Sequence, residues 1–321
     1  MRVARSVTTD EVILEDVPDP VAGPGEVVCR VLACGVCGSD VSTGYVSRKL
    51  PAVLGHEVVG EVLETGEGVE GVAPGDRVVI HHHAPCGECR RCRRGHETLC
   101  DQFRTTALEP GGFAERVRVE AALVPELLQL GALEPVIGTF VEPLGCILRA
   151  LDRAGLRGGD ALLVVGAGSN GLLAIAAAHA RAADAVWVRE PRADRRRLAE
   201  AWGATHHAGE PVDVALVTTS HRDAIEAAAA ALGPGGTLCL YATAKPGTPL
   251  DLDTEALFLR EITVCSSWSA GPQDMRAAYA LLASGRVDPR SLVTHRLGLD
   301  ETARALDLQR RGEAIKAVVE P

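Results

Sequence analysis

The pattern of apolar and polar positions changes character near residue 145. Before it, the runs Val27–Leu32, Val58–Leu63 and Arg77–His81 are short, rich in β-branched residues and bounded by Gly, Pro and Asp. Pro24-Gly25 and Pro74-Gly75-Asp76 punctuate them. Such runs predict a strand-rich domain with long loops. After residue 145 the period alternates. Leu162–Val165 is a buried-strand run, followed by Gly-rich turn residues and an Ala/Leu helix to Ala180. Ala185–Val188 predicts a strand, Arg192–Trp202 a helix, and Val214–Val217 and Thr237–Tyr241 further strands. Strand, helix, strand at this spacing predicts an α/β fold with a doubly wound parallel sheet.

Composition narrows the function classes. A chain of 321 residues has room for about two domains. Aromatic residues make up only 3%, so the core must be built mainly from Ala, Val and Leu. The formal charge of -10 argues against a nucleic-acid partner. Met1-Arg2-Val3-Ala4-Arg5 leads into an acidic alternating segment rather than an apolar signal core, and no apolar run is long enough for a membrane helix. The expected compartment is therefore the cytoplasm, where clustered cysteines read as metal ligands before disulfides.

Cys86, Cys89, Cys92 and Cys100 have the spacing C-x2-C-x2-C-x7-C. Four thiolates in so short a loop can close a tetrahedral shell around one zinc and leave no position for substrate, which predicts a structural site. Free thiols, a disulfide pair and an iron–sulfur cluster are the other readings of such a set. The nearby His81, His82, His83 and His96 are expected to be exposed polar residues, because the cysteines complete the shell.

A more dispersed set comprises Cys37 in Gly35-Val36-Cys37-Gly38-Ser39-Asp40, His56-Glu57 after Gly55, and Glu142 before Pro143. One sulfur, one imidazole and one carboxylate would leave an open position for water or substrate, as a catalytic metal requires. Each signal alone is weak. Cys146 lies one helical turn after Glu142 and competes with it as a ligand.

Gly166-Ala167-Gly168-Ser169-Asn170-Gly171 is a G-x-G-x-x-G that follows a predicted strand and opens a predicted helix, the context a dinucleotide site needs. Its glycines and the helix N-terminus at Ser169 and Asn170 suit a pyrophosphate. Glu190 lies 19 residues after Gly171, at the end of the next strand. A carboxylate there accepts ribose hydroxyls and repels a 2′-phosphate, favouring NAD over NADP. Arg189, Arg192, Arg195, Arg196 and Arg197 are the counter-evidence, with Arg192 the one placed to bind a phosphate.

Taken together, Gly35–Asp40, Gly55-His56-Glu57, Gly75-Asp76-Arg77-Val78, the four-cysteine lobe, Glu142-Pro143-Leu144 and the nucleotide fingerprint resemble the zinc-containing medium-chain dehydrogenase/reductase superfamily, particularly its sorbitol dehydrogenase-like branch. The resemblance covers nearly the whole chain. It implies a GroES-like catalytic domain of residues 1–144 and 273–321, and a Rossmann domain of residues 145–272. In that arrangement the short strands Leu292–Leu297 and Ala317–Val319 return to the first domain. It also implies two zinc ions per chain, one catalytic and one structural. Cys37, His56 and Glu142 would hold the catalytic ion, with Glu57 able to enter its shell and Asp40 orienting His56. Ser39 would begin the proton relay, and Arg195 would stack on adenine. Many relatives carry a histidine five residues after the zinc cysteine, where this chain has Ser42, so the relay beyond Ser39 is expected to use cofactor ribose and water. The segment from Gly203 to Asp213 is short for the family, and Val217-Thr218-Thr219-Ser220 departs from its usual acidic residue and glycine.

The function so implied is hydride transfer between a secondary alcohol or polyol and NAD, in a homodimer or homotetramer, with Tyr45 and Trp268 as candidate pocket residues. A threonine-type amino alcohol is the alternative substrate. The competing classes are a zinc- and NAD-binding sensor or scaffold without turnover, and a zinc-free NADPH reductase. The first would have eroded the open metal site; the second lacks both the lobe and the Cys–His pair.

Overall fold

A computed structural model describes residues Met1–Pro321 and resolves them into two compact units, Met1–Pro143 with Gly271–Pro321, and Leu144–Ala270. No helix is long and apolar enough to cross a membrane.

The first unit is β-rich. Its main sheet runs in the order Val293–Gly298, Lys316–Glu320, Val27–Gly35, Glu57–Thr65, Arg77–Ile80 and Leu128–Gln129, with Leu108–Glu109 and Arg116–Val119 alongside. A smaller sheet joins Val12–Asp16, Arg2–Ser6 and Ala52–Val53. The β-branched runs supply one continuous core of Val27, Cys29, Val31, Val58, Val62, Val78, Ile80, Phe113, Val117 and Val119. Inward positions on neighbouring strands meet there because side chains alternate with period two. Register matters for chemistry. Gly35 pairs with Glu57 on one side and with Val318 on the other. The Val27–Gly35 strand thus lies between the strand end that carries Glu57 and the C-terminal strand that begins with Lys316.

The second unit is a six-stranded parallel sheet ordered Thr205–His206, Ala185–Arg189, Ala161–Val165, Val212–Val217, Leu232–Leu240 and Thr263–Ser266. Numbered along the chain, this is the 3-2-1-4-5-6 order of a dinucleotide-binding sheet. Leu162, Leu163 and Val164 in its centre are fully buried, as a strand covered on both faces requires. The Ala-rich helix Ser169–Ala180 packs closely because its contact positions are small: Gly171, Ala174, Ala177 and Ala178 are all buried. The strand predicted at Thr237–Tyr241 is the second half of the longer Leu232–Leu240.

The short connection before Val212–Val217 contains no helix: the chain passes from Thr205–His206 to that strand through residues 207–211. Buried His207 makes this shortcut possible. Its Nδ1 accepts from Arg189 Nη2 at 3.1 Å, and its Nε2 donates to the Glu210 carbonyl at 2.7 Å, which sets the tautomer. Arg189 in turn donates to the Ala227 carbonyl at 2.8 Å. Replacing His207 with Ala leaves the Glu210 carbonyl and one guanidinium edge of Arg189 unsatisfied. The expected loss is about 1–3 kcal/mol of stability, read from urea unfolding of the full chain.

Candidate active site

The four-cysteine lobe sits on a loop of the first unit. Cys86 Sγ lies 4.0 Å from Cys92 Sγ and 3.5 Å from Cys100 Sγ, and Cys89 Sγ lies 3.5 Å from Cys92 Sγ. A disulfide would need about 2.0 Å, and all four are free thiols. Sulfurs around one zinc at about 2.3 Å stand about 3.8 Å apart in a tetrahedron, so the donor set fits that ion. The Cys86 and Cys89 amides donate to Cys100 Sγ and Cys86 Sγ, each at 3.4 Å. Burial opposes a charged Cys100, yet the amides of Cys86 and Phe103 outweigh it and lower its thiol to about 6. Phe103 is the apolar plug beneath the lobe.

The second set gathers at the sheet end around Gly35. Donor atoms of Cys37, His56 and Glu57 lie within 4.8 Å of one another. Cys37 caps the short turn Gly38–Val41, where its amide donates to Asp40 Oδ2 at 2.9 Å. Asp40 Oδ1 lies 3.4 Å from His56 Nδ1, which leaves Nε2 for a metal. Burial works against charge on this imidazole, but the Asp40 carboxylate prevails, with help from Cys37, and raises His56 well above its ordinary value. Asp40 itself is lowered, against its own burial, by His56 and by backbone bonds.

Glu57 is 1% exposed and paired with Lys316, which is 2% exposed. Burial alone would push the ammonium down; Glu57 chiefly, with Cys37 and Glu142, holds it raised. Glu57 Oε1 has no protein partner. The ion pair passes directly over Gly35, where any side chain would collide with Glu57 Oε2.

Glu142 opens the helix Val141–Ala154 and is buried. The structure groups its carboxylate with His81 and His82, whose donor atoms lie within 4.8 Å of it and of each other. The expectation of exposed histidines fails here. His81 is 2% exposed, and His82 and His83 are half-buried, because the chain turns inward after Arg77–Ile80 and stacks their rings against one another and against Phe103. Burial pushes His81 down to about 3 and His83 to about 4. The His82 ring lies 4.8 Å from that of His56. A pocket of about 170 Å³ is lined by Ser39, Tyr45, Lys49, His56, His82 and His83 among others. Trp268, in the second unit, is largely exposed.

In the second unit the nucleotide turn has the shape its glycines require. Gly166 has φ +99°, and a Cβ at Gly171 would strike the Gly166 carbonyl. The Thr218 hydroxyl donates to the carbonyls of Val165 and Gly166, each at 3.0 Å, so the departure in the Val217–Ser220 turn braces the loop. Gly168 is the N-cap of Ser169–Ala180 and makes no side-chain capping bond. Ser169 Oγ has no protein partner. Open amides and a free hydroxyl at a helix N-terminus fit a pyrophosphate. Glu190 accepts from the Ala167 amide at 2.8 Å and the Arg192 amide at 2.9 Å, which locks its carboxylate beside the turn. Arg195 is half-buried, with Nη1 3.6 Å from where a Gly168 Cβ would stand.

Residues 23–129 match the alcohol dehydrogenase GroES-like domain, and residues 171–284 match the zinc-binding dehydrogenase domain. The chain is 34% identical to an L-threonine 3-dehydrogenase of Pyrococcus horikoshii over 96% of its own length and 94% of that protein's. The chain belongs to the zinc-dependent medium-chain alcohol dehydrogenase family. A sorbitol dehydrogenase of Bacillus subtilis is 29% identical over 100% of this chain and 97% of its own. An alcohol dehydrogenase structure from Thermus sp. ATN1 superposes with a TM-score of 0.88 at 29% identity, covering 100% of this chain and 99% of that one. The dehydrogenase is thus a zinc-dependent oxidoreductase that uses a nicotinamide cofactor and acts on a small-molecule alcohol.

Lys316, His82 and His83 escape motif reading. Lys316 had one signal, a lone cation opening the apolar run Ala317–Val319. Two outcomes are expected of this dehydrogenase. Lys316→Met leaves Glu57 charged and buried without its partner and costs about 3–5 kcal/mol in denaturant unfolding. A metal ion at His56 would have to displace a proton that is held more tightly than usual. Zinc affinity of the stripped chain should therefore rise steadily from about pH 6 to pH 8 in calorimetric titration; a flat profile would contradict the Asp40–His56 pairing.

Proposed function

We propose that this dehydrogenase moves a hydride between a secondary alcohol or polyol and NAD, with Cys37, His56 and Glu142 as ligands of the catalytic zinc and Glu57 able to join them. The observation that carries the reading is the open donor set of Cys37, His56 and Glu57, with Asp40 behind His56 and Ser39 in the pocket that His56 lines. Three protein donors leave a position for substrate, whereas the four-cysteine set leaves none. When bound, zinc would raise the acidity of the substrate hydroxyl and the nicotinamide would take the hydride.

The protein's own groups do the rest. Asp40 fixes the tautomer and direction of His56. Ser39 takes the hydroxyl proton outward. Ser42, at the end of the same turn, is exposed and offers no base to continue the relay, a role that a bound cofactor's ribose and water would have to fill. Lys316 holds Glu57 in place beside Cys37. Residues 1–144 and 273–321 form the zinc domain and residues 145–272 the dinucleotide domain. There Gly166, Gly168, Ser169, Asn170 and Gly171 receive the pyrophosphate, Arg195 the adenine and Glu190 the ribose. NAD is favoured over NADP because the Glu190 carboxylate sits at the strand end and Arg192 is engaged by Asp194 at 2.8 Å. Cys146 is buried one turn beyond Glu142 and packs as a small apolar residue. The working form is a homo-oligomer in the cytoplasm, where the lobe's thiols stay reduced. A second substrate reading, a threonine-like amino alcohol, is favoured by the Pyrococcus relative.

NADH formation against a panel of polyols, secondary alcohols and threonine tests the substrate class, and the ratio of kcat/KM for NAD and NADP tests the cofactor. Cys37→Ser should abolish turnover while keeping the fold. Asp40→Ala should lower activity and zinc affinity by about 10–100-fold. Full turnover in Cys37→Ser would remove that residue from its role.

A further inference from the structure

Three successive histidines precede the cysteine lobe, and the dehydrogenase reading uses none of them. His83 is committed: its Nδ1 lies 2.9 Å from the Thr106 carbonyl. His81 and His82 are not. Nδ1 of His82 is buried without a hydrogen-bond partner, and the ring nitrogens of His81 are buried with no strong hydrogen bond, only the His83 backbone acting on one of them. A buried polar atom left unpaired costs about 1–3 kcal/mol, so a native chain rarely keeps such atoms together without a ligand for them. One donor atom from each of these histidines and one oxygen of buried Glu142 lie within 4.8 Å of one another. Small rotations of the two imidazoles bring such a trio to the separation of about 3.4 Å set by metal–nitrogen bonds of about 2.1 Å.

We propose that His81, His82 and Glu142 form a further metal seat, which takes a divalent first-row transition ion in addition to the ions of the four-cysteine lobe and of the Cys37 set. Two imidazoles and one carboxylate make a sulfur-free triad with open positions, a donor set suited to such ions. It is harder than the thiolate-containing set beside it, and the tilted contact of the His82 and His56 rings, 4.8 Å apart, makes the two seats neighbours. The proposal goes beyond the dehydrogenase reading and shares only Glu142 with it. A carboxylate has two oxygens, so Glu142 can serve both ions. The Phe103 ring, 5.8 Å from that of His81, gives the seat an apolar neighbour.

The test counts ions and their sulfur ligands separately. The full chain is stripped, reloaded with Co²⁺, desalted and measured by elemental analysis, together with the near-ultraviolet sulfur-to-cobalt absorption. The wild type should hold one ion for each of its three donor groups. His82→Gln should hold one fewer, with the sulfur band per chain unchanged, because the lost ion has no thiolate ligand. His81→Asn should give the same result, which guards against a folding defect peculiar to one substitution. Cys37→Ser should lose an ion together with part of the sulfur band and keep the sulfur-free one. A wild-type count one short overturns the proposal, and so does a full count in both histidine variants or a sulfur band that falls in both. Turnover of Cys37→Ser decides the dehydrogenase reading independently of these counts.

Discussion

Burying charge in a valine-built sheet is the constraint around which the first unit is organised. Glu57 and Lys316 are both sealed from water, where a charge without a partner is costly. Their pairing joins positions 259 apart in sequence. The C-terminal strand must therefore return to the sheet, and it does so beside Gly35, the position where a side chain would obstruct the pair. A buried ion pair is rarely a net gain over apolar packing. Its presence here makes sense as a positioning device. It fixes a carboxylate beside Cys37 and His56 in a region where nothing else could orient it.

The two cysteine-containing sets solve opposite problems with similar atoms. The lobe is a loop wrapped on its own sulfurs, with Phe103 as its only sizeable apolar support, so metal binding and local folding are one event there. Cys37 and His56 instead hang from the ends of sheet strands whose cores are complete without a metal. Such a set would be able to take up and release an ion while its scaffold stays intact. The two sets differ in what supports their donor atoms as much as in how many there are.

The fold was legible wherever one physical period dominated. The alternating runs at Val27–Leu32 and Val58–Leu63, and the strand-turn-helix at Leu162–Ala180, each needed only local pattern to be read. The cysteine lobe was equally legible, since short spacing confines its donors to one place. The open site was not: Cys37, His56 and Glu142 come from separate elements, and only their resemblance to a known order brought them together. Lys316 and the histidine run were missed for a common reason. Polar side chains are normally placed at the surface, and the partners that justify burying these ones lie far along the chain, or on an adjacent turn whose direction no local pattern encodes. The clipped segment after Gly203 was visible as a length, yet the role of His207 in closing it depended on Arg189 across the sheet.

Charge conservation connects these pieces. Around Gly35 the chain gathers Asp40, Glu57 and Glu142 against Lys316 and a His56 that holds its proton tightly. Without metal, that set is close to balanced. A divalent cation entering at Cys37 and His56 must expel the proton from each, because only thiolate and neutral imidazole are ligands. Two protons leave as two positive charges arrive, so the buried charge barely changes. Metal exchange at this site is then governed by proton affinity more than by repacking. It also explains why the acidic groups are paired with a lysine and a histidine rather than with two lysines. A lysine in the place of His56 would keep its proton and offer a metal no imidazole, so that exchange of charge could not take place.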